Sequence, residues 1–290
     1  MIVAVEVVTR SELFRTWTFE PALLVTLVVA AALYARGTRR LRQRITGTKR
    51  LGRALAFYGG LAVLAVALMS PLDALAGTLF SAHMVQHLLL MIVAAPLLVL
   101  GRPVAPLIAG LPQAGRDAVR RAGAGGVRQV THFLARPFVV WTLGTLALWA
   151  WHMPTLYEAA LSHDVLHVAE HVSFLGTALL LWSVVLGSGA RRGPAARPIA
   201  AMLVFANGVQ GTALGAVLIF ASGPLYPVHA AGAAAWGTTL VQDQQLAGAL
   251  MWGVPALLYV LTIGWLLLRW FTEMEPASPD RALAFSGDRS

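Results

Sequence analysis

Seven stretches of this 290-residue chain, at 20–36, 52–70, 81–100, 137–152, 166–187, 199–221 and 247–269, run almost without charge. A helix needs about 20 mostly apolar residues to cross the hydrocarbon of a bilayer. Backbone polar groups in that hydrocarbon find partners only inside helices or closed barrels. The pattern therefore predicts an all-α fold: a polytopic membrane protein built as a seven-transmembrane-helix bundle. Composition agrees, with 58% hydrophobic residues, 12% charged and a mean hydropathy of +0.70. Soluble domains are closer to one quarter charged. PVAPLIAGLP at 103–112 is apolar but short and holds three prolines, so it reads as an interfacial or re-entrant piece.

The basic residues test the count. Twenty of the 22 lie in the segments 36–53, 101–136 and 188–198 and in the tail from 269, while the alternate loops 71–80, 153–165 and 222–246 hold none. Lys and Arg stay on the cytoplasmic side, which predicts the N-terminus outside and the C-terminus inside. Three parts follow: an extracytoplasmic segment 1–19, a membrane domain 20–269 and a flexible cytoplasmic tail 270–290. The N-terminal MIVAVEVVTRSELF carries Glu6 and Glu12 around a very short apolar stretch, so it is not read as a secretory signal. The net charge of +9 is spent on topology and on anionic lipid headgroups, and no nucleic-acid partner is expected. Tryptophans such as Trp141, Trp151, Trp252 and Trp270 fall towards span ends, as an interfacial belt does. Gly211 and Gly215 in the sixth span have the GxxxG spacing of close helix packing.

On this topology seven of the eight histidines fall at the outer face, and only His132 at the cytoplasmic one. His83 and His87, in SAHMVQHLLLMIVAAP, are four apart and share a helix face. His163, His167 and His171 continue the same spacing into the fifth span. An interfacial histidine standing alone is most often a wet amphipathic residue, and that reading holds for His132 and His229. For the pair and the triple, polar groups placed this deep favour function. His83, His87, His167 and His171 are the leading metal ligands, with His152 and His163 next. Glu170, Asp243, Met84, Met153 and Met251 are placed in the surrounding shell, although helix capping alone would explain Asp243 and packing alone the methionines. Asn207 and Gln210 form a further polar island in the sixth span.

With no cysteine in the chain, a metal has only His, Met and carboxylate to hold it. Imidazole suits copper and zinc, and nearby thioether tilts the choice towards cuprous copper, with zinc left open. Haem is less natural, because an i, i+4 pair points one way and chelates one ion. HVAEH at 167–171 also matches the H-x-x-E-H pattern of zinc hydrolases, in which Glu170 would be the general base. HMVQH, by contrast, has Met84 where H-E-x-x-H needs its Glu.

HMVQHLLLMIVAAPLLVLGRP, WAWHMPTLYEAAL, HDVLHVAEH and DQQLAGALMWGVP together resemble the CtaG-type, Bacillus-type cytochrome c oxidase assembly factors over about residues 55–269. The resemblance implies a seven-helix protein of the bacterial cytoplasmic (inner) membrane. It implies a part in maturing haem–copper oxidases, with oxidase subunits as partners, membrane lipid around it and no catalysis of its own. Copper bound or delivered at an outer-face histidine site is the expected mechanism. A metal-free scaffold for oxidase subunits and an intramembrane zinc hydrolase are the alternatives, and a homo-oligomer is left open.

Overall fold

The computed structural model describes residues 7–42, 47–123, 126–187, 193 and 195–274. Most of the expected tail, from 275 onward, lies outside the described residues, as do Arg44, Arg191, Arg192, Arg281 and Arg289. The described residues form helices and no strand: α1 (Pro21–Arg40), α2 (Gly47–Met69), α3 (Pro71–Thr78), α4 (Phe80–Leu100), α5 (Val104–Gly110), α6 (Gln113–Gly123), α7 (Val127–Leu134), α8 (Pro137–Trp151), α9 (Pro154–Ser162), α10 (Asp164–Leu186), α11 (Ala196–Phe220), α12 (Ala230–Ala235) and α13 (Leu240–Met274).

Six of these, α1, α2, α4, α10, α11 and α13, are long and apolar enough to cross a membrane. The chain is a multi-pass membrane protein. The expected fourth span differs from its neighbours. At 15 residues, α8 reaches only about 22 Å at 1.5 Å per residue, short of a hydrocarbon core of about 30 Å. It has the length and composition of a seventh span only if taken together with α7, from which it is bent by 74°. The break falls at Pro137, which starts α8 and holds Arg136 in an extended conformation. The last span is longer than its apolar run suggests, 35 residues in place of 247–269, and continues through Pro255. The Pro-rich 103–112 segment forms the short α5, packed on α1.

Helices in lipid gain little from burying apolar surface, so close packing holds them. Leu55, Val172, Phe205, Leu257 and Leu268 face outward, while three buried clusters fill the interior. One is built on Tyr34 stacked against Phe57, one on Trp182, Val185 and Leu266, and one on Phe80, Met84, Tyr157 and Tyr226. The most extensive pairing joins α11 to α13. There a Cβ on Gly215 would come within 2.8 Å of the Gly248 carbonyl, whereas one on Gly211 would meet nothing nearer than 3.9 Å. Only the second glycine of the GxxxG pair is at the closest approach.

Pro96 lies inside α4. It offers no N–H and would clash with the carbonyl of residue 92 in a regular α-helix. The turn before it widens to π geometry over Leu89–Ala94, and the Met91 carbonyl accepts a hydrogen bond from the Trp182 indole at 2.9 Å. The free backbone group is thus satisfied within the protein, as the bilayer requires. The widened turn starts two residues after His87.

Candidate metal centre

The elements at one end of the bundle close over the first turns of α4 and α10. The N-terminal segment straps across them: Val8 N–H donates to Thr78 Oγ1, Trp236 Nε1 donates to Val8 O, and Arg10 donates to Trp236 O. Helix α4 is the most buried of the candidate spans and carries His83 and His87 at this end. Helix α10, packed along it, brings His167, Glu170 and His171 on one face at i, i+3 and i+4.

The four leading histidines converge. Ring centroids are 4.3 Å apart for His83–His87 and His167–His171, 5.7 Å for His83–His167 and 5.4 Å for His87–His171. Glu170, expected in an outer shell, stands among them instead. Its Oε2 is 3.7 Å from His83 Nε2 and its Oε1 is 3.7 Å from His87 Nε2. That is too long for a hydrogen bond. It is near the edge of a coordination tetrahedron, about 3.4 Å for bonds of about 2.1 Å. Donor atoms of His83, His167 and Glu170 all lie within 4.8 Å of one another.

Among the described residues, no hydrogen bond satisfies this set. Both Glu170 oxygens, both His87 nitrogens and the Nε2 atoms of His83, His167 and His171 are buried without a hydrogen bond. Buried polar atoms are rarely left so, and each costs roughly 1–3 kcal/mol. A cation held between His83, His167 and Glu170 would engage three of these groups, with the His87 and His171 rings alongside, and the donor types, imidazole and carboxylate, are metal ligands. A cavity of about 350 Å³ reaches His167 and His171 from the side, with Glu20 and Asp73 in its wall.

The other sequence candidates go elsewhere. His163 is exposed, with Nδ1 directed at the Ala159 carbonyl at 3.0 Å. Met153 is exposed and Met251 packs in the aromatic cluster. His152 Nε2 meets Met84 Sδ at 3.3 Å. Asp243 caps the backbone of α4, accepting from Phe80 N at 2.8 Å and from Ser81 N at 3.2 Å. Its neighbours Gln244 and Gln245 donate to the last carbonyls of α11, Leu218 O and Ile219 O. Gln210 accepts from the Trp149 indole, and Asn207 donates to Leu203 O.

His229 is held by two hydrogen bonds. Its Nδ1 donates to Thr78 O at 3.1 Å, so its Nε2 accepts from the Tyr157 hydroxyl at 2.7 Å. Burial holds this imidazole below its ordinary titration range, against the Thr78 hydrogen bond, which favours the charged form. Burial likewise pushes the Tyr157 hydroxyl well up. Tyr157, whose ring is 5.1 Å from that of His83, roofs the site, with Tyr226 packed on it at 4.7 Å. Sequence reasoning passed over both, although Tyr157 sits in WHMPTLYEAAL. It also passed over Gln86, between the two α4 histidines, which donates to Ala67 O and Asp73 Oδ1, both at 2.8 Å.

A family model described as cytochrome c oxidase caa3 assembly factor (Caa3_CtaG) matches residues 32–273. Uncharacterized proteins of Mycobacterium bovis and Mycobacterium tuberculosis are each 27% identical over 97% of this chain, and one of Mycobacterium leprae is 26% identical over 95%. The chain spans 42% of the length of these relatives. No solved structure matches it.

Proposed function

The chain belongs to the cytochrome c oxidase caa3 assembly factor family, and from that premise we propose that it handles copper for the oxidase at the His83/His87/His167/His171/Glu170 cluster. Copper here is cargo: the cluster takes it up and gives it away. The observation that carries this reading is the set of unpartnered imidazole nitrogens around an unpartnered buried carboxylate. A fold that places such groups together leaves several polar atoms uncompensated unless a cation joins them. One carboxylate among neutral imidazoles suits a borderline divalent ion, and the lateral cavity provides exchange that a closed structural site lacks.

The distribution of basic residues supports the orientation. Arg40, Arg116 and Arg197 lie at helix ends away from the histidine-bearing turns, where Arg40 donates to Ala109 O and Arg197 pairs with Glu273. The positive-inside rule then puts the cluster at the extracytoplasmic face of the bacterial inner membrane, with the N-terminus on that side. Oxidase subunits are the recipients in this reading, and no chemistry beyond binding and release is assigned.

The test is metal analysis of protein purified without a histidine tag, beside the His83→Ala/His87→Ala double variant, with oxidase copper measured in cells carrying each. Stoichiometric copper in the parent, lost in the variant together with oxidase copper, is the expected result. A parent that stays metal-free in copper-replete cells, with oxidase copper indifferent to the variant, would leave the metal-free scaffold. Zinc in place of copper would reassign the cargo.

A further inference from the structure

We propose that Met84 and His152 form a second, soft half-site for cuprous copper, separate from the histidine–carboxylate cluster. His152 Nδ1 lies 2.7 Å from the Leu148 carbonyl oxygen. A carbonyl only accepts, so the ring proton is on Nδ1, and the neutral ring presents a lone pair at Nε2. The atom facing that lone pair at 3.3 Å is Met84 Sδ, which also has only lone pairs to offer. Two donors point at each other, and both side chains are buried, Met84 1% exposed and His152 6%.

What such a pair lacks is an electron-pair acceptor. Metal–nitrogen bonds of about 2.0–2.1 Å and metal–sulfur bonds of about 2.3 Å, spanned by 3.3 Å, subtend about 100° at the ion. That is close to a tetrahedral angle, so the separation suits chelation after a modest rotation that brings both lone pairs onto an ion beside the line joining them. The Nδ1–H to carbonyl bond is the support that metal-binding imidazoles usually show, because it fixes tautomer and ring orientation. The Tyr226 hydroxyl donates to the His152 carbonyl at 2.7 Å and fixes the backbone as well.

The chemistry selects the ion. A thioether and a neutral imidazole are uncharged and soft-to-borderline, which favours a monovalent soft cation over Zn²⁺ or Cu²⁺. Met251 packs in the same buried cluster as Met84. Met84 follows His83 on α4, and the Phe174 ring lies 6.1 Å from His152 and 4.6 Å from His87. The half-site therefore adjoins the cluster but does not depend on it holding metal.

The experiment titrates tag-free protein with Cu(I) alone under anaerobic conditions and reads copper X-ray absorption. The chain has no cysteine, so any sulfur scatterer is a methionine. A sulfur shell near 2.3 Å is expected in the parent and in His83→Ala/His87→Ala. It is expected to vanish in Met84→Leu, a near-isosteric change that spares the packing, and in His152→Ala. A parent without sulfur, or a shell unchanged in Met84→Leu, overturns the half-site. So does nitrogen NMR showing His152 Nε2 protonated in the metal-free protein at neutral pH, since the contact would then be an N–H to sulfur hydrogen bond. Because the double variant keeps the sulfur shell, loss of the cluster reading and loss of this one are separately visible.

Discussion

Asp243, in the first turn of α13, caps α4, a helix that begins 163 residues earlier at Phe80. One carboxylate oxygen accepts from Phe80 N–H and the other from Ser81 N–H and the Ser81 hydroxyl. Leu79, at the N-cap position, has no side chain able to do this. The cap also places a negative charge at the positive end of the helix that carries His83 one turn on. Asp243→Ala strands two buried N–H groups and should cost about 2–3 kcal/mol. The expected readout is a lower melting temperature in detergent and a weaker metal site, with Asp243→Asn intermediate. A variant as stable as the parent would mean that α4 is fixed by its packing alone.

Local period made the histidines legible. His83 with His87 and His167 with His171 follow the helical repeat, and apolar runs located the helices that bring them together. Asp243 was not legible in the same way, because its partner is a backbone 163 residues distant and nothing in DQQLAGALMW names a helix to cap. Glu170 stands among the ligands rather than beside them because of how α10 is rotated against α4, which the local sequence does not specify. The shortness of α8 is legible in the bounds 137–152, whereas its 74° bend against α7 is not, and the π turn before Pro96 has no sequence mark other than the proline itself.

Glu170→Gln separates binding from hydrolysis. With the carboxylate as a ligand, the amide loses charge and at least about tenfold in metal affinity is expected. The metal-free variant should melt no lower than the parent, because an unpaired buried charge has been removed. Isothermal titration and thermal melts read the two effects. Full metal occupancy with loss of a measurable hydrolytic activity would support Glu170 as a general base instead.

The α11–α13 contact predicts an asymmetric response of its two glycines. Gly215→Ala forces a Cβ to within 2.8 Å of the Gly248 carbonyl, so the helices must part, at about 1–3 kcal/mol. Gly211→Ala has ordinary contact distances and should be nearly neutral. Melting of both variants in the same detergent checks this, and equal effects would contradict the observed crossing.

His229 gives the roof of the site a pH dependence. Burial holds its folded titration below the ordinary 6.5, so between the two values the unfolded chain binds the extra proton. Stability from the Tyr157–His229–Thr78 chain is therefore complete above about 6.5 and declines as pH falls below it. His229→Gln should flatten the acid limb of melting temperature against pH. A limb that is identical in the variant would assign it to other groups.

The lateral cavity predicts a kinetic effect without an equilibrium one. Glu20 is exposed and Asp73 half-buried in the wall that leads to His167 and His171. The Nε2 atoms of His167 and His171 make no hydrogen bond to either. Their charge can raise the local cation concentration, and exposed charge acts through a field that salt screens. Glu20→Gln should slow metal uptake several-fold at low ionic strength and hardly at all at high salt, with stoichiometry and final affinity unchanged. Asp73→Asn should do the same but also disturb Gln86, which donates to it. Stopped-flow uptake of a divalent ion reads the rates, and indifference to Glu20→Gln at low salt would move the entrance to another face of the bundle.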